Sequence, residues 1–161
     1  MLSALNINSQ NKSKMTCNET LFDVITSIEA YSFHGESTIH TMSEYSKSIR
    51  KDTLGITLDD KIEIPMKPKS AKVSEKENMG VYGESYEVSL SWQVQHLNED
   101  TYKVLKRIKE NYNHLIISDY SGSSLFVRCE EYGYNFSYIE KDGLIECELT
   151  INNRNGAQRI L

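Results

Sequence analysis

From Tyr86 to Gln95 the chain alternates apolar and polar residues. Successive side chains of a strand point to opposite faces. Tyr86, Val88, Leu90, Trp92 and Val94 therefore share one face, and Glu87, Ser89, Ser91, Gln93 and Gln95 share the other. The period then becomes helical: Tyr102, Leu105, Ile108 and Tyr112 are spaced by three, three and four and fall in one stripe. A half-buried strand needs a sheet, and an amphipathic helix needs an apolar surface. The rest of the chain is expected to pack on this strand and helix.

The start of the helix is well specified. Asn98 is placed to cap it, Glu99 and Asp100 suit the positive end of the dipole, and Leu97 can staple onto Tyr102. Lys103, Lys106, Arg107 and Lys109 fall later, where the dipole favours cations. The predicted helix covers about 99–112, ending near Asn111 or Asn113.

Two hairpins are predicted after it. Residues 115–119 and 125–129 flank Tyr120-Ser121-Gly122-Ser123, with apolar residues at both parities, so this pair is expected to be covered on both faces. In the second hairpin, Asp142-Gly143 reads as a two-residue type I′ turn. Tyr138 then faces Cys147, Phe136 faces Leu149 and Tyr134 faces Ile151, while Glu146, Glu148 and Thr150 share the opposite face. A slip of one residue would set aromatics against glutamates, which argues for this register.

The first half of the chain is less patterned. Residues 1–20 are rich in Asn, Ser, Lys and Thr and predict a flexible N-terminal arm. The β-branched residues of 21–33 favour a strand from about Asp23, with a short helix as the alternative. Residues 36–60 predict a long loop, with Met42, Tyr45 and Ile49 at helical spacing, that becomes ordered against a partner. Residues 61–68 read as a strand that meets Pro65 and Pro68 and so belongs at a sheet edge. Residues 69–77 continue polar, and Met79 to Gly83 is expected to be a turn into the central strand. Residues 152–161 are expected to turn away from the sheet as a short exposed end. No internal repeat is visible. The organisation is an arm over 1–20 and one domain over 21–161, of α+β class. It has a mainly antiparallel sheet (sandwich or open barrel), one main helix and four strands after it.

Composition narrows the function classes. A chain of 161 residues with 39% hydrophobic and 25% charged residues is long enough for a core and reads as a soluble globular protein. No apolar run approaches the roughly 20 residues that span a bilayer, and Met1 to Asn8 lacks the basic start and apolar block of a signal peptide. A net charge of −5 argues against a general nucleic-acid binder and leaves room only for a small basic patch. Cys17, Cys129 and Cys147 have no CxxC spacing. Cys129 and Cys147 sit at apolar-parity positions and read as buried free thiols.

Catalytic motifs are lacking. His34, His40, His96 and His114 show no ligand spacing. Asp59-Asp60, Glu99-Asp100 and Glu130-Glu131 are isolated pairs, and Glu146 with Glu148 reads as one solvated strand face. Ser121-Gly122-Ser123-Ser124 lacks the lysine and following helix of a phosphate loop, and no GxSxG elbow occurs. No catalytic, cofactor-binding or metal-binding residue is assigned, and no cofactor is expected. Ten tyrosines are notable, because Tyr132, Tyr134 and Tyr138 alternate with small or polar residues as sheet-packing residues do.

Several stretches, taken together, carry a likeness. They are Gly83-Glu84-Ser85-Tyr86-Glu87-Val88-Ser89-Leu90-Ser91-Trp92, the helix Glu99 to Tyr112, Leu115-Ile116-Ile117-Ser118-Asp119-Tyr120-Ser121-Gly122, Glu140-Lys141-Asp142-Gly143 and Ile151-Asn152-Asn153-Arg154-Asn155-Gly156-Ala157-Gln158. In this layout the span from Tyr82 onward resembles bacteriophage tail structural proteins, of the tail-tube-like, tail-end or neck kind. The resemblance implies a non-enzymatic virion subunit, made in the host cytoplasm, that assembles with copies of itself into a ring or tube around a DNA channel. Its partners would be copies of itself and other tail or neck proteins, with transient passage of DNA and no membrane. Arms and loops that reach neighbours place the expected contacts at Leu5, Ile7, Met42, Tyr45, Ile49, Arg154, Arg159 and Leu161. The acidic balance suits such a conduit, since like charge keeps the genome from sticking. A second reading is a non-catalytic binding module in which Tyr132, Tyr134, Tyr138 or Trp92 lines a groove for glycan or peptide. A third is an enzyme whose site is assembled only in space.

Overall fold

The computed structural model describes residues 24–32, 48–49, 61–81, 83–95, 98–130 and 133–161. The predicted arm and most of the predicted loop, with Leu5, Ile7, Met42 and Tyr45, lie outside the described residues, as do Leu97 and Tyr132. The described residues form ten strands: β1 (Ile25–Ser32), β2 (Ser48–Ile49), β3 (Lys61–Glu63), β4 (Lys72–Gly80), β5 (Gly83–Val94), β6 (Asn113–Asp119), β7 (Ser124–Val127), β8 (Tyr134–Lys141), β9 (Leu144–Asn153) and β10 (Ala157–Ile160). Among the described residues one helix, α1 (Glu99–Glu110), is present, and it separates β5 from β6. Two sheets result, a six-stranded one in the order β2-β10-β7-β6-β1-β3 and a four-stranded one in the order β4-β5-β9-β8. All pairings are antiparallel except β10 with β2. The class is α+β, predominantly strand.

The four-stranded sheet follows the alternation of its sequence. Val88, Leu90, Trp92 and Val94 of β5 are buried, and Ile145, Cys147, Leu149 and Ile151 of β9 lie beside them in register. Tyr138 pairs with Cys147, Phe136 with Leu149 and Tyr134 with Ile151, as the hairpin pattern predicts. Asp142 and Gly143 take φ of 53° and 77°, the paired positive values that a type I′ turn requires. At the other end of β8, a side chain at Gly133 would run into the Asn152 carbonyl oxygen, and the Asn152 N–H donates to the Gly133 carbonyl at 2.7 Å. Only glycine allows that approach.

β4 corrects the reading of residues 69–77 as polar continuation. It pairs along its whole length with β5, and Met79 and Gly80 belong to it rather than to the turn. Val73, Glu75, Glu77 and Met79 share one side of it, but only Val73 is buried, so glutamates interrupt the apolar row that would have marked a strand. Glu75 has a specific role: its Oε1 accepts the Ala157 N–H at 2.7 Å and ties β4 to the start of β10 in the other sheet.

In the six-stranded sheet, β6 and β7 are covered on both faces, as their dual parity predicts. Leu115, Ile117, Leu125 and Val127 enter the main core, while Phe126 packs with Ile49, Ile116 and Ile160 in a second cluster on the opposite face. β3, which precedes Pro65, is an edge strand as expected. The expected free tail, in contrast, is part of the sheet. After Asn153 the chain turns and β10 inserts between β7 and β2, with Ala157 and Gln158 buried. Asn153 holds that turn, accepting the Gly156 N–H at Oδ1 and donating from Nδ2 to the Arg128 carbonyl. Five strands therefore follow the helix, where four were expected.

The Asn98 side chain accepts the Thr101 N–H at 2.8 Å and caps α1 as predicted. Thr101, Leu105 and Ile108 form the buried face with Val104 beside them, whereas Tyr102 and Tyr112 are exposed. The predicted stripe was thus too wide: the helix ends at Glu110, capped by Asn111, before Tyr112 is reached. Residues of both sheets and the helix fill one continuous core.

Candidate functional site

Buried reactive groups are the first place to look for chemistry. Burial pushes the thiols of Cys129 and Cys147 up to about 12, so neither forms a thiolate near neutrality. His114 lies close to Cys129, but its Nδ1 accepts the Cys129 backbone N–H at 2.8 Å and is engaged there rather than as a base. The Tyr134 hydroxyl donates to the Ile108 carbonyl at 2.7 Å and receives Asn113 Nδ2 at 3.0 Å, closing the carboxyl end of α1. Burial raises its pKa in consequence. Asp119 accepts the N–H groups of Ser121 and Ser123 and the Ser121 hydroxyl, which lowers its pKa and fixes the hairpin turn. Each arrangement serves the fold. Among the described residues no group of three or more His, Cys, Asp or Glu side chains could hold a metal, and no helix is long and apolar enough to cross a membrane.

Among the described residues the aromatic rings of the stripe pack against the core. Trp92 is buried and stacks on Phe136 at 5.8 Å, and Tyr138 packs against the core with Lys109 5.8 Å above its ring. The residues expected to contact partners are scattered. Ile49 is buried against Phe126 in the protein's own second cluster. Arg154 is exposed at the turn, Arg159 is exposed on β10, and Leu161 is exposed at its end with its N–H on the Ile49 carbonyl. Arg159 is near enough to Asp119 to help lower its pKa. Arg159, Leu161 and Ile49 thus share a corner of the six-stranded sheet, and Arg154 stands at the other end of β10.

What the sequence did not disclose is the outer surface of the four-stranded sheet. The register sets Lys72, Ser91, Glu148 and Ser137 in one row across the four strands, with Gln93, Glu146 and Ile139 in the next. A trough of about 500 Å³ lies over these rows, bordered by Lys69 and Ser70. The Ser70 hydroxyl donates to the Lys67 carbonyl at 2.6 Å and accepts the Gln93 N–H at 3.1 Å, which pins the Lys67–Ser70 turn on β5. This sheet ends in long edge strands. Among the described residues nothing pairs with the outer side of β4, nine residues long, or of β8, eight residues long. The six-stranded sheet ends instead in β2 and β3, of two and three residues. The hairpin of β4 and β5 also runs past the last β9 partner, Asn153, and exposes Met79 and Val81, the latter at 97%.

No protein-family model, no curated protein and no solved structure matches this chain.

Proposed function

We propose that this protein is a non-enzymatic structural subunit of a bacteriophage tail or neck, which assembles with copies of itself into a ring or tube around a DNA channel. The observation that carries the reading is the pair of long edges, β4 and β8, on opposite sides of one sheet and without a partner strand among the described residues. The four strands alternate in direction, so β8 of one copy set beside β4 of the next extends the sheet with its antiparallel pattern intact. A contact between two different edges is head-to-tail, and such contacts make a ring when the rotation closes. The core filled from both sheets supports a sandwich rather than an open barrel, and a sandwich leaves the polar outer face free to line a channel. Lysines and glutamates on the edges keep an isolated copy from pairing indiscriminately. Other tail or neck proteins would cap such a ring.

Disulfide trapping tests the contact. Lys72 and Ser137 lie on the two edge strands of one chain, three strand spacings or about 14 Å apart, too far for an internal disulfide. In a Cys17→Ser background, Lys72→Cys with Ser137→Cys, and the register-shifted Ser74→Cys with Ser137→Cys, should give a covalent ladder of multimers on oxidation. Light scattering of the unmodified chain should give a multiple of 18.5 kDa. A strictly monomeric chain in both measurements, at concentrations up to millimolar, would rule the ring out.

A further inference from the structure

The trough on the outer face carries opposite charges that do not neutralise one another. Lys69 and Lys72 stand on its β4 side and Glu146 and Glu148 on its β9 side, with Ser91 and Ser137 in the row of Lys72 and Glu148. The two charged rims are two strand spacings apart, about 10 Å. Among the described residues none of these four charges takes part in an ion pair. A second observation comes from the backbone. In the turn Lys67-Pro68-Lys69-Ser70, closed by Ser70 N–H on the Lys67 carbonyl at 3.1 Å, Lys69 takes φ of 64°. Glycine is the unstrained residue at that turn position after proline. A lysine held there keeps its ammonium at the rim at the expense of local strain, the kind of outlier that points to a recognition role.

We propose that this trough binds a peptide segment of a partner chain carrying an acidic and a basic residue three positions apart. In a polyproline-II conformation residues three apart lie on one side and about 9 Å from each other, which matches the separation of the rims. The carboxylate of the segment pairs with Lys69 and Lys72, its cationic side chain with Glu146 and Glu148, and Ser91 and Ser137 offer hydroxyls to its backbone. This inference is independent of the ring: a monomer has the complete trough.

The test is a titration of the isotope-labelled full chain with the end-blocked peptides Glu-Pro-Pro-Lys and Lys-Pro-Pro-Glu, and with Gln-Pro-Pro-Gln as the uncharged control. At least one charged order should shift the amides around Ser91 and Glu148 saturably, and more salt should weaken it. Lys72→Gln and Glu148→Gln should each weaken binding about tenfold, on the order of one charge-assisted contact. Lys69→Gly should weaken it as well, while leaving the melting midpoint unchanged or raising it by about 1–3 °C. If the control binds as well as the charged peptides, if none binds at millimolar concentration, or if the three substitutions leave the affinity unaltered, the site is refuted. Such a failure would leave the disulfide ladder untouched, and an absent ladder would leave the titration untouched.

Discussion

The two sheets solve the problem of burying a pleated surface in different ways. The four-stranded sheet is one-sided: alternate residues of β5, β8 and β9 enter the core and the remainder form a face that is polar apart from Ile139. The six-stranded sheet is two-sided at its centre, where β6 and β7 send Leu115, Ile117, Leu125 and Val127 to one core and Ile116 and Phe126 to another. The edges differ in the same sense. Among the described residues the two-sided sheet ends in strands of two and three residues, whereas the one-sided sheet ends in strands of nine and eight. A sheet already covered on both faces has little surface left to offer. The one-sided sheet keeps a face, two edges and a projecting hairpin, so interaction is expected there.

The largest test of that contrast is a pair of truncations. Leu149→Ala, in the row of Leu90 and Phe136, should destabilise the protein by about 3 kcal/mol. Phe126→Ala, on the far face of the other sheet, should cost about as much, because its ring is fully buried. Urea titrations give both values. A cost below about 1 kcal/mol for Phe126→Ala would mean that the second cluster is ornamental and the sheet effectively one-sided.

A somewhat smaller loss is expected at Gly133. Gly133→Ala must push β8 away from the Asn152 carbonyl, and overpacking of this kind costs about 2 kcal/mol. The same titration should show it, and an effect within error would mean that the edge strand gives way freely.

The cysteines sharpen the comparison by sampling both regions. Their thiol pKa values rise from the ordinary 9.0 to about 12 because burial disfavours the thiolate. The stability contributed by the neutral thiols is fully present below pH 9, since the unfolded chain ionises there first. It is lost as pH climbs through 12. In a Cys17→Ser background, a thiol reagent at pH 8 should leave both residues unmodified until the chain unfolds. Faster native labelling of Cys147 than of Cys129 would identify the one-sided sheet as the region that opens more readily.

The smallest effect belongs to the polar face itself. Ser89→Ala, between Ser74 and Thr150 on the outer surface, should change stability by no more than about 0.5 kcal/mol in a thermal melt. A larger loss would show that this face contributes to the fold and is not free for a partner.

The legible part of the molecule is that in which one face of an element meets apolar side chains. Alternation in β5 and in the β8–β9 hairpin, the paired positive φ at Asp142 and Gly143, and the Asn98 cap could all be read from the chain, because each depends on residues close in sequence. So could half of the outer face: Ser91 with Gln93 and Glu146 with Glu148 each share a side by parity alone. Their alignment into rows needed the register between β5 and β9. Lys69 and Lys72 were hidden because β4 carries Glu75 and Glu77 on the side of Val73 and so lacks a strand's signature. Glu75 belongs there only because the Ala157 N–H arrives from the other sheet. The insertion of β10 was likewise invisible, since backbone hydrogen bonds do not depend on side-chain identity. Local periodicity determined which side of most strands is wet, and tertiary pairing alone decided which edges are filled and which, among the described residues, stay open.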